Sequence, residues 1–226
     1  SLTLRKGEIL GIAGVSGNGQ KELAEVLFGL RKLKNGTIYF KGKKVDKLNP
    51  EKCRRLGASY IPEDRYGVGA APGLNFMDNL ILSSYKRFPV SSSLFLNDKY
   101  IKSWADKAIA TYEIKVSLLT LPVKLLSGGN MQKLILAREL EYSPELIIAA
   151  CPTRGLDISA SDNARKLLIR ERDRGAGVLL ISEDLEEIFQ VSDRIAVIYE
   201  GKILGIFAPE ETDREKIGLL MGGINS

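Results

Sequence analysis

A strand, a glycine-rich loop and a helix follow one another near the start of the chain, and this succession restricts the possible folds. EILGIAG (8–14) is a continuous apolar run typical of a buried strand, and QKELAEVLFG (20–29) places Leu23, Val26 and Leu27 on one helical face. The loop between them, GVSGNG, is rich in glycine. A strand, loop and helix in this order present backbone N–H groups and a helix N-terminus to an anion, as phosphate sites do.

The same alternation of strands and helices returns in the last third of the chain. Strands are predicted at ELIIAAC (145–151), GVLLIS (177–182) and RIAVIYEG (194–201), with helices near 159–174 and from Glu183 onward. Uninterrupted apolar strands between helices indicate a largely parallel sheet that is covered on both faces. The predicted fold class is therefore α/β.

The middle of the chain interrupts this alternation with helical patterns. NFMDNLILSSYKR and NDKYIKSWADKAIATYEI are separated by the polar, proline-containing FPVSSSLF (88–95). We predict a helical subdomain at about 75–142, inserted into a core formed by 1–74 and 143–226. GTIYFKGKKV (36–45) predicts a small β-hairpin within that core.

Composition and charge exclude several classes of protein. A chain of 226 residues, 44% of them hydrophobic, can bury a substantial core. Its 33 basic and 28 acidic residues are mixed, which favours a solvated surface and gives no support for nucleic acid as a partner. Cys53 and Cys151 are too few for a disulfide framework, and the apolar runs are shorter than the roughly 18 residues of a membrane span. We predict a cytoplasmic protein that reaches the membrane only through a partner.

The glycine loop is an incomplete version of a known phosphate-binding motif. A full P-loop, GxxxxGK[ST], supplies a lysine to the β- and γ-phosphates and a hydroxyl to Mg²⁺, but Gln20 and Lys21 occupy those positions. Lys21 is not an obvious substitute, because one step along a helix turns the side chain by about 100°. From the loop alone, a phosphate cradle and an ordinary turn both remain open. The candidate nucleotide-binding residues are Gly14, Val15, Ser16, Gly17, Asn18, Gly19, Gln20, Lys21 and Glu22.

Three further segments favour the phosphate cradle. LLSGGNMQ (125–132), CPTRGLD (151–157) and YIPEDR (60–65) resemble motifs of the ATP-binding-cassette (ABC) family. LSGGN is similar to the LSGGQ signature, PTRGLD is similar to the end of the Walker B strand with the D-loop, and YIPEDR lies where the family has its glutamine loop. The resemblance covers nearly the whole chain and implies ATP binding and a P-loop NTPase-like ABC ATPase fold.

Within that family the chain most resembles the second cassette of the tandem-cassette ATPases of simple-sugar importers. AACPTRGLD, with no acid before the proline, is more similar to the nucleoside-importing branch. The resemblance implies a single nucleotide-binding domain, residues 1–226, cut from a longer chain with another cassette upstream. It also implies transmembrane permease subunits as partners, contacted by the helical subdomain, and a peripheral location on the inner face of the membrane. The aromatic residue that stacks on adenine would lie upstream of Ser1.

The signature segment LSGGN opens a predicted helix with the body MQKLILAREL. At the positive end of that helix, Ser127 and the N–H groups that follow can donate to a γ-phosphate. A serine before a helix can also be simply its N-cap. By resemblance, the signature acts in trans on ATP held by a partner cassette. The candidate catalytic residues are Ser127, Gly128, Gly129 and Asn130.

Several positions depart from the family pattern, and each departure removes a catalytic group. The Walker B acids correspond to Ala150 and Cys151, and the switch histidine corresponds to Glu183 in a chain without histidine. Cys151 is expected to be a small, buried, inert residue, and Glu183 an acid at a helix N-terminus. Glu63 lies in the glutamine-loop segment, where a carboxylate repels a triphosphate unless a cation or proton intervenes. We therefore expect impaired hydrolysis here, no metal ligand in this chain, and Mg²⁺ at the partner's site only.

The predicted function is a catalytically degenerate nucleotide-binding domain that helps couple ATP hydrolysis to uptake of nucleosides or simple sugars. A non-transport cassette protein acting on nucleic acid or ribosomes is an alternative, although coiled-coil arms and basic runs are missing from the sequence. Co-purification with a permease would separate these two functions. A structural cassette that binds no nucleotide is a third possibility, which ATP-analogue binding would decide.

Overall fold

The computed structural model describes residues 1–92 and 95–224. In chain order its strands and helices are β1 (Ile9–Ala13), α1 (Gln20–Leu27), β2 (Ile38–Phe40), β3 (Lys43–Val45), α2 (Pro50–Arg55), β4 (Ala58–Ile61), α3 (Phe76–Ile81), β5 (Ser91–Ser92), β6 (Phe95–Leu96), α4 (Asp98–Tyr112), α5 (Gly128–Leu140), β7 (Leu146–Ala150), α6 (Ile158–Asp173), β8 (Gly177–Ser182), α7 (Leu185–Val191), β9 (Arg194–Tyr199), β10 (Lys202–Phe207) and α8 (Arg214–Met221).

Two compact units make up the chain. The first unit consists of Ser1–Tyr60, Ser143–Pro152 and Arg165–Ser226, and the second consists of Ile61–Tyr142 and Thr153–Ala164. The predicted division into a core and a helical subdomain, with boundaries at about 75 and 142, stays a prediction.

A six-stranded sheet forms the centre of the first unit. Its strand order is β10-β9-β1-β8-β7-β4, in which β9, β1, β8 and β7 pair in parallel and β10 runs antiparallel to β9. Every residue of β1 and of β8 is buried, as expected for apolar strands covered on both faces. Leu10, Ile148 and Leu179 pack in one cluster with Phe28 and Tyr60, whose rings lie 5.2 Å apart. The predicted α/β class with a mostly parallel sheet is confirmed.

The predicted hairpin also forms in the first unit. Strands β2 and β3 pair antiparallel, with Ile38 opposite Val45 and Phe40 opposite Lys43. The turn between them consists of Lys41 and Gly42, both at positive φ. This conformation is the one that two-residue hairpin loops require.

Helices α3, α4 and α5 pack on one another in the second unit. Helix α5 is buried along most of its length, which explains the apolar stretch LILA in its sequence. Each of the three helices starts at a polar N-cap side chain that accepts the N–H three residues later: Asn75 for α3, Asn97 for α4 and Ser127 for α5. Such caps satisfy N–H groups that the helix itself leaves unpaired.

Some elements differ from the sequence prediction. Helix α7 begins at Leu185, later than predicted, because Asp184 is the N-cap and its carboxylate accepts the N–H of Glu186 at 2.8 Å. The polar segment FPVSSSLF (88–95) includes β5 and the first residue of β6, neither of which was predicted, and its residues Ser93 and Leu94 lie outside the described residues. The elements α2, β4, β10 and α8 were not predicted.

None of the helices in 1–92 and 95–224 combines the length and the apolar character needed to cross a membrane.

Candidate functional site

The phosphate loop (residues 14–22) and two departures from the family pattern lie at the same edge of the first unit's sheet. Ala13, the last residue of β1, is in register with Ser182, the last residue of β8. Ala150, the last residue of β7, is in register with Ile181. Because neighbouring parallel strands are about 4.8 Å apart, the phosphate loop, Glu183 and Cys151 follow their strands side by side at the carboxyl edge of the sheet.

The phosphate loop presents backbone donors at the start of a helix. Gly17 and Gly19 have φ values of 90° and 103°, which favour glycine. Asn18 fixes the loop to the turn after β9, because its side-chain oxygen accepts the N–H of Glu200 at 3.0 Å and its carbonyl accepts the N–H of Gly201 at 2.8 Å. Within the described part of the chain, the N–H groups of Ser16, Gly17 and Gly19 make no hydrogen bond. These amides, at the positive end of α1, fit an anionic phosphate.

Gln20 takes the place of the P-loop lysine and has a different contact. Its side chain is buried, and Nε2 donates a hydrogen bond to the carbonyl of Val15 at 2.9 Å. The amide therefore closes the loop on itself and brings no positive charge to a phosphate. Lys21 and Glu22 are exposed on α1, and Glu22 lies 3.7 Å from Arg31. Their assignment to nucleotide binding stays a prediction.

The chain after β7 has neither of the two Walker B acids. Ala150 is buried, and the N–H of Cys151 donates to the carbonyl of Ile181 at 2.8 Å. The expectation that Cys151 is buried is wrong: it is half-buried, with φ at 46°, because the chain turns sharply where the strand ends. Neither cysteine forms a disulfide.

Glu183 is exposed and lies outside α7, with Asp184 between it and the helix. Glu183 thus directly precedes the N-cap of α7, where the capping carboxylate belongs to Asp184, and its role as an acid at that helix N-terminus stays a prediction. Ser182 is buried at the end of β8, and its Oγ accepts the N–H of Asp184 at 3.1 Å. The local turn is thus formed by Ser182 and Asp184.

The side chains at the family's metal-binding positions do not suit Mg²⁺. Magnesium takes oxygen ligands, chiefly carboxylates, water and phosphate oxygens. The resembled family supplies one hydroxyl and two acids at three positions. In this chain those positions are Lys21, Ala150 and Cys151. Throughout 1–92 and 95–224, no group of three or more His, Cys, Asp or Glu side chains is arranged to hold a metal ion.

The signature turn (residues 126–130) lies in the second unit and is held by several internal bonds. Ser127 Oγ accepts the backbone N–H of Asn130 at 3.3 Å and its Nδ2 at 3.0 Å. Asn130 Oδ1 accepts the N–H of Lys115 at 2.8 Å. The Asn130 N–H is thus used within the cap, which leaves the N–H groups of Gly128 and Gly129 as the backbone donors at the start of α5. Neither of these two forms a hydrogen bond inside the described ranges.

A second group of side chains adjoins the signature turn and was missed by the sequence analysis. Arg154 Nη1 donates to Glu63 Oε1 in an ion pair, so that the cation expected beside this carboxylate is an arginine of the PTRGLD segment. Arg65 Nη1 donates to the carbonyl of Gly128 at 3.4 Å, and its Nη2 donates to the carbonyl of Arg154. Burial, the largest influence, and the nearby Arg154 charge lower the pKa of Arg65, whereas Tyr66 acts in the opposite direction.

Comparison with known proteins agrees with these motifs. The family model described as ABC transporter matches residues 1–154. The guanosine import ATP-binding protein NupO of Bacillus subtilis is 44% identical over 99% of this chain and 44% of its own length. The glucose import ATP-binding protein TsgD13 of Haloferax volcanii is 42% identical over 98% of this chain and 41% of its own length. The nucleoside import ATP-binding protein NupA of Lactococcus lactis is 41% identical over 100% of this chain and 44% of its own length. The chain therefore spans less than half the length of these relatives.

Solved structures confirm the fold. A dimeric, post-hydrolysis state of the ATP-binding cassette MJ0796 bound to ADP and Pi has a TM-score of 0.79 at 20% identity, over 92% of this chain and 88% of that chain. An ATP-binding subunit of an ABC transporter has a TM-score of 0.78 at 19% identity, over 98% of this chain and 90% of that chain. The ABC ATPase fold and the match to the family model lead to one conclusion: this chain belongs to the ABC transporter family.

Proposed function

We propose that this chain is a nucleotide-binding domain of a membrane importer for nucleosides or simple sugars, and that it hydrolyses ATP poorly by itself. Its signature turn would act on ATP held by a competent partner cassette, so that hydrolysis there drives uptake. The relatives named above are import ATP-binding proteins for guanosine, nucleosides and glucose. The proposal includes transmembrane permease subunits as partners and a location on the cytoplasmic face of the membrane.

One observation carries this proposal. The phosphate loop has free backbone donors but neither of the two Walker B acids beside it, whereas the signature turn keeps the N–H groups of Gly128 and Gly129 at the start of a 13-residue helix. Positioning and charge neutralisation supply most of the catalysis of phosphoryl transfer. A site that lacks the lysine and the two Walker B acids should bind a nucleotide but hydrolyse it slowly. An intact signature turn can still act at the site of a partner cassette.

The position in the full protein and the ligands follow from the same argument. Relatives more than twice the length of this chain support a second cassette of a tandem protein, with the helical subdomain at about 75–142 facing the permease. ATP would be held at the phosphate loop by backbone amides. Mg²⁺ would bind at the partner's site only, because Lys21, Ala150 and Cys151 offer no oxygen ligand on their side chains.

Exchanges at Gly129 and Cys151 in the assembled transporter test the proposal. A Cβ at Gly129 would meet only Leu156 Cδ2, at 3.9 Å, so a side chain fits there. Gly129→Asp places a carboxylate beside the γ-phosphate, and we expect kcat for ATP to fall by at least about 10²–10³, the loss typical of one missing charge-stabilising donor. Cys151→Ala removes no acid, base or metal ligand and should leave turnover nearly unchanged.

Gly129→Asn is the matched control, because it has the same shape as Gly129→Asp without the charge. It should retain far more turnover than the aspartate variant. ATPase rate and substrate uptake are measured with assembly checked for each variant. Tolerance of Gly129→Asp together with loss of hydrolysis in Cys151→Ala would contradict the proposed division of labour.

A further inference from the structure

The side chains of Glu63, Arg65 and Arg154, all in the second unit, connect three segments of the chain. We call these side chains the arginine bridge. Glu63 and Arg65 belong to YIPEDR, Arg154 belongs to PTRGLD, and Gly128 begins helix α5. The Glu63–Arg154 ion pair joins YIPEDR to PTRGLD. The two Arg65 bonds, to the carbonyls of Arg154 and Gly128, join both of them to the signature turn.

Arginine is suited to this position. Its planar guanidinium carries several N–H donors in a fixed fork, so that one side chain can hold two carbonyls in a defined relative orientation. A lysine has a single ammonium on a flexible stem and lacks that fork. Although burial lowers the pKa of Arg65, an arginine remains protonated at neutral pH.

The bond to Gly128 bears directly on the proposed donor. The carbonyl of Gly128 and the N–H of Gly129 belong to one planar peptide unit, and in a trans peptide they point in opposite directions. Fixing the carbonyl therefore fixes the direction of the N–H. Two consecutive glycines leave that peptide with more rotational freedom than other residues would. Both glycines lie in the first turn of α5, and the Arg65 contact adds a restraint on this carbonyl from outside the helix.

Glu63 has a corresponding role. In the glutamine-loop segment this carboxylate would repel a triphosphate, but in this chain it accepts a hydrogen bond from Arg154. Glu63 thereby restrains Arg154, whose backbone carbonyl accepts a hydrogen bond from Arg65. Arg154 is exposed to 57% and Glu63 to 37%, so the pair contributes little to stability and its effect should be on geometry.

We infer that Glu63, Arg65 and Arg154 are positioning residues that aim the Gly129 N–H at the γ-phosphate of the partner cassette's ATP. The inference rests on the proposed function of the signature turn. It goes beyond that function by giving the YIPEDR segment a role within this chain. The segment positions the signature turn and does not ligate a nucleotide or a metal.

Steady-state ATPase measurements on the full-length protein in its assembled transporter test the arginine bridge. Arg65→Gln should lower kcat by roughly ten- to a hundredfold, as small misplacements of catalytic groups do, and leave KM for ATP within about twofold. Arg65→Lys should lie between wild type and Arg65→Gln. Arg55→Gln is the matched control, because Arg55 forms an exposed ion pair with Glu51 on α2, and it should behave as wild type.

A charge exchange separates positioning from simple destabilisation. Arg154→Glu should lower kcat, and the double variant Glu63→Arg/Arg154→Glu should restore it, since the ion pair can re-form with its charges reversed. Both positions are partly exposed, so these variants remain informative even if Arg65→Gln fails to fold.

Gly129→Asp in the same assay distinguishes the two proposals. If Gly129→Asp abolishes turnover while Arg65→Gln and Arg154→Glu keep kcat within about twofold of wild type, the arginine bridge is refuted and the proposed function stands. Failure of the charge exchange to restore kcat, or an effect on KM alone, also refutes the bridge. If Gly129→Asp leaves turnover intact, the proposed function fails, and this inference fails with it.

Discussion

The phosphate loop of the first unit and the signature turn of the second unit are both glycine-containing helix starts, but they differ in what surrounds them. At the phosphate loop, Gln20 bonds to the loop's own Val15, and the end of β7, two strands away in the sheet, has Ala150 and Cys151 without a carboxylate. At the signature turn, Ser127 caps the helix and Arg65 holds the carbonyl of Gly128. Backbone donors are present in both places, and at the signature turn an arginine guanidinium also bonds to a glycine carbonyl at the helix start.

This difference separates two kinds of chemistry. Backbone donors depend on the course of the chain, which glycines and a helix start can maintain after single side chains are exchanged. Charge neutralisation and metal binding depend on individual side chains. A single exchange, such as the one that places Gln20, Ala150 or Cys151 at a family position, is enough to remove a charged group. Nucleotide binding and nucleotide turnover should therefore respond differently to mutation at the two places.

The largest expected effect concerns the support of the signature turn. Asn79 is fully buried; its Nδ2 lies within hydrogen-bond distance of the carbonyls of Ala71, Leu74 and Asn75, and its Oδ1 accepts the N–H of Ala71. Leu74 in turn accepts the N–H of Val123, shortly before the turn. Because Asn79→Ala leaves several buried groups unpaired, we expect the free energy of unfolding to fall by on the order of 3 kcal/mol in urea titrations.

Asn35→Ala is the control for this prediction, since Asn35 is exposed and its replacement should change the unfolding free energy by less than about 0.5 kcal/mol. A similarly small effect of Asn79→Ala would show that the turn does not depend on this support.

The next largest effect is expected on ATP affinity at the phosphate loop. Gln20→Lys would place an ammonium where the family has its lysine, and charged hydrogen bonds are stronger than neutral ones. Allowing for the lost bond to Val15, ATP affinity should rise about tenfold, or about 1.4 kcal/mol. Turnover should stay absent, because Ala150 and Cys151 are unchanged. Titration with a fluorescent ATP analogue measures the affinity, with Lys34→Gln, an exposed lysine outside the phosphate loop, as the control. Turnover in Gln20→Lys would contradict the comparison.

The smallest effect concerns the metal. Since Lys21, Ala150 and Cys151 provide no side-chain oxygen, the Kd of this chain for the ATP analogue should change by less than about twofold when Mg²⁺ is added. The titration is repeated with Mg²⁺ and with a chelator. A large gain in affinity with Mg²⁺ would reveal a metal ligand that the motifs do not include.

Local patterns predicted the fold better than the contacts of the site. The continuous apolar run GVLLIS and the hairpin at 36–45 were predicted correctly, because burial and alternation are visible in short windows of sequence. The β5–β6 pair was missed since two-residue strands leave too short a pattern. The arginine bridge was missed because Arg65 and Arg154 are 89 residues apart, and their contact depends on tertiary packing.

One single-residue expectation failed for a local reason. Cys151 was expected to be buried as part of a strand end, but the strand stops at Ala150 and the next residue adopts a positive φ. Glu183 was expected at a helix N-terminus and directly precedes the N-cap of α7, a role for which Asp184 has the suitable shorter side chain. Both residues lie at the ends of elements, where a shift of one or two residues changes a side chain's environment.

The central claim is that the phosphate-loop edge of this chain does not support ATP turnover. Steady-state phosphate release by the purified 226-residue chain, with ATP and Mg²⁺ in excess, tests it most directly. The assay should cover a range of protein concentrations, because a second copy could supply a signature turn. We predict release no greater than that of Gln20→Ala at every concentration. Multiple turnovers by the unmodified chain that Gln20→Ala abolishes would contradict the account.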